Sequence, residues 1–83
     1  MLRRIIHAMI YYGDEGGFVA ECMEIGVVTQ ANSLDMALKN LKEAVQLYFE
    51  GEQSESLGFV SNPILDIHLE TEVADEPVET AFR

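Results

Sequence analysis

VVTQANSLDMALKNLKEAVQLYFEG, Val27 to Gly51, joins a β-like run directly to an amphipathic helix. Leu34, Ala37, Leu38, Leu41, Ala44, Val45 and Tyr48 recur at i, i+3, i+4 and i+7, so one side of the helix carries an apolar stripe. Asn32 or Ser33 can cap its start, Asp35 lies in the first turn where the helix dipole favours an acid, and Gly51 can end it. A stripe of this kind needs a surface to cover. The flanking sequence has to supply it.

Upstream, Leu2 to Tyr12 is rich in β-branched and aromatic residues. Ile5, His7, Met9 and Tyr11 alternate with Ile6, Ala8, Ile10 and Tyr12, and both sets are largely apolar, as in a central strand. GDEGG, residues 13–17, combines acidic turn formers with glycines and predicts a hairpin. Phe18 to Met23 alternates again, EIG turns the chain, and Val27 to Ala31 completes a three-stranded meander.

Downstream, Glu52 to Asn62 reads as polar and then loop-like, with Asn62–Pro63 opposing helical geometry. Ile64 to Val73 alternates Leu65, Ile67 and Leu69 against Asp66, His68, Glu70 and Glu72, a strand with one wet face. The expected fold is α+β in two layers. An antiparallel sheet in β-β-β-α-β order carries the helix on one face, with Phe18, Ala20, Leu65 and Ile67 as the surface it covers. Residues 1–73 form this domain, and residues 74–83 an acidic C-terminal tail.

Composition narrows the function. Fifteen acids against five bases give a net charge of −10, which repels nucleic-acid phosphates and argues against direct nucleic-acid binding. From Glu50 onward there are nine acids and a single base, Arg83. One cysteine, Cys22, allows no intrachain disulfide and no Cys-based metal site from one chain, which fits a reducing cytoplasm. No run approaches a membrane span, and the N-terminus lacks the pattern of a cleaved signal, so no membrane association is expected.

The segment DEGGFVAECMEIGVVTQANSLDMALKNLKEAVQLYFE, residues 14–50, resembles the N-terminal domain of HicB family antitoxins. In that family an acidic-Gly hairpin and an aromatic-x-Ala strand lead to a CPELG-VTQG type of turn and then to a T-LEEAL-N-KEA-ELYLE type of helix. Asp14, Gly17, Phe18, Ala20, Cys22, Glu24, Gly26, Thr29, Gln30, Ser33, Leu34, Ala37, Leu38, Asn40, Lys42, Glu43, Ala44 and Tyr48 match. Met23, Ala31 and Met36 depart from the family's usual Pro, Gly and Glu, the last removing the reciprocal half of a capping box.

The resemblance implies a fold likened to a reduced RNase H domain, and a non-enzymatic antitoxin that covers the catalytic surface of a small basic HicA-type mRNA-cleaving toxin. Family members commonly add a C-terminal DNA-binding module. Residues 74–83 are short and acidic, so operator binding by this chain alone is not expected. Glu50, Glu52, Glu55, Asp66, Glu70 and Glu72 are the acidic candidates for contact with the toxin.

Other readings of the same residues stay open. Asp14, Glu15, Glu21 and Glu24 cluster near the first turns and raise the possibility of a metal-dependent nuclease, but hairpin-tip acids are ordinarily solvated. His7 and His68 with Asp66 or Glu70 would make a metal site only on adjacent strands. Cys22 reads as a small buried hydrophobe. An orphan oligomeric scaffold or small-ligand module is the alternative from another class. No cofactor is implied. A single helix covers only one sheet face, so at least a dimer is expected, through that uncovered face or an open edge strand, with Met9 and Tyr11 as interface candidates.

Overall fold

The computed structural model describes residues 1–73; the segment 74–83, expected as an acidic tail, lies outside the described residues. Four strands and one helix follow in the order β1 (Arg3–Tyr12), β2 (Phe18–Cys22), β3 (Val28–Ala31), α1 (Leu34–Phe49) and β4 (Phe59–Leu69), with a short 3₁₀ turn at Ser54–Leu57. The expected α+β class and element order are present. The sheet runs β3-β2-β1-β4, so β1 is central.

The antiparallel sheet requires correction, because β4 pairs with β1 in parallel while β1–β2 and β2–β3 are antiparallel. The cause lies in the connection. A helix of 16 residues spans about 24 Å, enough to carry the chain back along the sheet before it enters β4. β3, α1 and β4 thus form a crossover between strands of the same direction, the connection that parallel strands require.

β4 also begins earlier than the alternation at Ile64 predicts. Phe59 is only 2% exposed and stacks edge-on against Phe49 with ring centroids 5.5 Å apart. Asn62–Pro63, expected to precede the strand, lies inside it. The pairing passes from Arg3–Phe59 to Ile5–Ile64, so β4 carries extra residues there, and Asn62 takes a φ of 52° in that irregularity.

Ser33, one of the two expected caps, accepts a hydrogen bond from the Met36 N–H at 3.2 Å. Gly51, with φ of 78°, follows the last turn. Ala37 and Leu41 are completely buried, and Leu34, Leu38, Ala44 and Val45 pack around them. Tyr48 corrects the expected stripe: it is 38% exposed, and Phe49, four residues beyond Val45, packs inward instead.

The sheet face beneath the helix contains Ile6, Ala8, Ile10 and Ala20, all 3% exposed or less. Phe18, Leu65 and Ile67 pack against this cluster, so the predicted landing surface is the real one. Alanine at positions 20 and 37 lets helix and sheet approach closely.

Candidate functional site

The other sheet face carries Ile5, His7, Met9 and Tyr11 from β1, Val19 and Glu21 from β2, and Ile64, Asp66 and His68 from β4. Parallel pairing sets His7 opposite Asp66 and Met9 opposite His68. Met9 and Tyr11, the candidate interface residues, therefore sit at the centre of the uncovered face, each half-buried by its neighbours. Ile5 and Ile64 are paired and 36% and 56% exposed, which makes an apolar end to that face.

Its polar groups are organised in pairs. The Tyr11 hydroxyl donates to Glu21 Oε1 at 3.0 Å. That bond, then burial, then the charges of Glu21, Asp14 and Glu70 hold the phenol above its ordinary pKa of 10.0. Glu24, from the turn after β2, takes two hydrogen bonds from His7: the backbone N–H reaches Oε1 at 2.7 Å and ring Nδ1 reaches Oε2 at 2.5 Å. Burial opposes ionisation of Glu24, but the His7 ring and backbone bonds prevail and hold its carboxyl below the usual 4.5. The His7 carbonyl in turn accepts from Met23 N–H at 2.8 Å. The turn is thus fastened to β1 from both sides of one residue.

The four acids near the first turns do not converge. Asp14 and Glu15 are exposed at the hairpin tip, Glu21 is held by Tyr11 and Glu24 by His7. Among the described residues no group of three His, Cys, Asp or Glu is disposed to hold a metal ion. Cys22 is half-buried, and burial first, then the charge of Glu24, push its thiol above the ordinary pKa. Such a thiol is a poor nucleophile at neutral pH.

The acidic partner candidates separate into two groups. Glu50, Glu52 and Glu55 are exposed around the end of α1 and the 3₁₀ turn, where Glu55 Oε2 accepts from the Ser61 hydroxyl at 3.2 Å. Asp66, Glu70 and Glu72 are exposed along and beyond β4. Among the described residues no lysine or arginine forms an ion pair, so none of the six carboxylates is neutralised by one. On the helix side of the sheet, beside Glu50, runs a groove of about 790 Å³ that the sequence did not suggest, floored by Ile6 and Leu65 and walled by Val45, Phe49 and Pro63. It forms because α1 lies over β2 and β3 and leaves β4 partly uncovered.

Several residues that match the HicB motif turn out to hold the backbone. Gly17 adopts a φ of 71°, and a Cβ there would stand 2.7 Å from the Ala31 carbonyl oxygen. Ser33 caps α1, the Asn40 side chain donates to the Gln30 carbonyl at 3.2 Å, and Glu24 fastens the turn to β1. Sequence likeness concentrated on such residues reports common architecture.

A UPF0150 protein of Helicobacter pylori (strain J99 / ATCC 700824) is 35% identical over 57 residues, covering 69% of this chain and 79% of that protein. The chain belongs to the UPF0150 family. No family model matches the chain, and no solved structure matches it. No helix among the described residues of this UPF0150 member is long and apolar enough to cross a membrane.

Proposed function

We propose that this UPF0150 protein is a HicB-like antitoxin-type protein, a non-enzymatic domain of the cytoplasm that binds and neutralises a small basic HicA-type mRNA-cleaving toxin. The resemblance of residues 14–50 to the HicB domain supports the reading. The observation that carries it is the set of exposed carboxylates left without described lysine or arginine partners, on a chain of net charge −10. A basic ribonuclease would be drawn to such a surface from solution, and the attraction would weaken with salt.

The test uses the product of any small basic reading frame adjacent to this one. Calorimetric titration at low salt should show a complex that weakens as salt is raised and in which RNA cleavage is suppressed. Absence of a complex would remove the antitoxin reading and leave the orphan scaffold or ligand-binding module.

A further inference from the structure

We infer that two copies of this chain join through the outer edge of β4, antiparallel, about a twofold axis that passes through Ile67. This deepens the expected self-association by assigning its surface and register, and it does not depend on the antitoxin reading.

The two edges of the sheet are unequal. β3 is four residues long, and the Gln30 carbonyl on its outer side is already occupied by the Asn40 side chain. β4 is eleven residues long, and its regular part begins at Ile64. The Glu70 N–H bonds to the Ile10 carbonyl at 2.8 Å, which turns the backbone of residues 66, 68 and 70 toward β1. Leu65, Ile67 and Leu69 consequently present their N–H and C=O groups outward, a row fit to pair with another strand. Pro63 ends the usable stretch, since it has no N–H to give.

Self-pairing must satisfy the twofold, and the side chains select one register. With the axis at Ile67, Leu65 meets Leu69 of the second copy, and each outward-facing backbone group finds a partner. Asp66 then stands directly opposite His68 of the second copy, and His68 opposite Asp66, so a carboxylate meets an imidazole twice. Ile64 meets Glu70 at the two ends. The neighbouring registers are worse. An axis at Leu65 sets Pro63 against Ile67 and loses ladder bonds, and one at Leu69 sets Asp66 against Glu72. One at Asp66 opposes that carboxylate to itself, while one at His68 opposes Asp66 to Glu70. Antiparallel pairing on Ile67 alone joins opposite polarity with an intact ladder.

Asp66 and His68 are both exposed, so they can be changed without touching the core. The purified chain should sediment as a dimer at micromolar concentration. Asp66→Lys should shift it to monomer, and Asp66→Lys combined with His68→Glu should restore the dimer by exchanging the charges. For register, Asp66→Cys chains mixed with His68→Cys chains, both on a Cys22→Ala background, should form an interchain disulfide under mild oxidation faster than either alone. A monomeric wild type, an Asp66→Lys chain as dimeric as wild type, or failure of the exchanged pair to restore association would overturn the inference. So would a wild-type monomer whose Leu65, Ile67 and Leu69 amides resist hydrogen exchange, because another segment would then cover the edge. None of these measurements involves a toxin, so their failure leaves the antitoxin reading standing.

Discussion

His7 gives Glu24 both its backbone N–H and its ring nitrogen, so a single side chain in the turn after β2 continues the sheet's hydrogen bonding where β2 has ended. The Glu24 side chain is 12% exposed, against 54% for His7, so the carboxylate is the more dependent partner. Its neutralisation would leave a largely buried group with weaker bonds.

Glu24→Gln should therefore destabilise the fold by about 1.5 kcal/mol at pH 7, the loss expected for hydrogen bonds to a charged group. The pH response has a definite sign. Because the folded state holds the Glu24 pKa below its ordinary 4.5, the carboxylate's stabilisation is complete above that pH and is lost as pH falls through the lower folded value. Urea unfolding of both proteins from about pH 7 down to about pH 3 checks this. The wild type should lose more stability below 4.5 than the variant, and parallel curves would show that the bonds to His7 contribute nothing.

Gly16 and Gly17 both take positive φ, at 91° and 71°, yet they should respond differently to alanine. At Gly16 a Cβ meets nothing within 4 Å, so Gly16→Ala costs only the left-handed conformation, about 1 to 2 kcal/mol. At Gly17 the Cβ would press on the Ala31 backbone at 2.7 Å, and either the hairpin or the β2–β3 ladder must shift. Thermal melts should place Gly17→Ala clearly below Gly16→Ala. Equal melting temperatures would mean that the close approach at Ala31 carries no cost.

Thr29 presents the opposite case, a substitution that should stabilise. Its hydroxyl is buried with no hydrogen-bond partner among the described residues, while its Cα pairs with fully buried Ala20. Burying an unsatisfied hydroxyl costs about 1 to 3 kcal/mol, and valine has nearly the same shape without it. Thr29→Val should raise the urea midpoint with an unchanged slope. A lower midpoint would show that the hydroxyl is satisfied in solution.

What the sequence revealed and what it hid follow from the range of the interactions. Ser33, Gly51 and the apolar spacing of α1 act within a few residues, so the helix was legible. The hairpin at residues 13–17 was legible for the same reason. Alternation at Leu65, Ile67 and Leu69 reported the buried face of β4 but not its direction, because a period of two is the same in either sense. Asn62–Pro63 read as a break because a local rule cannot see the irregularity that absorbs it, nor that Pro63 lies on an edge needing no N–H. Met9 and Tyr11 lie on the face the helix leaves open, which the alternation of β1 alone does not distinguish from the covered one. The role of Glu24 was hidden, since its partner lies 17 residues away, and so was the division of the six acids into two groups.

The helix register supplies the last prediction, because Tyr48 and Phe49 compete for one place at the end of the apolar stripe. Counting from Val45, both i+3 and i+4 lie near the same face, and the sequence pattern admits either. Phe49 wins because it has a ring of the sheet to meet: Phe59 stands edge-on at 5.5 Å, whereas the ring that Tyr48 meets is that of its neighbour Phe49, at 5.3 Å. Phe49→Ala should then cost about 3 kcal/mol, toward the lower end for a buried aromatic because Phe49 is half-buried and borders the groove. Tyr48→Ala, at a position 38% exposed, should cost under about 1 kcal/mol. Denaturant midpoints of the two variants decide the matter. If Tyr48→Ala proves the more damaging, the helix is rotated toward Tyr48, and the groove beside β4 is not bounded by Phe49.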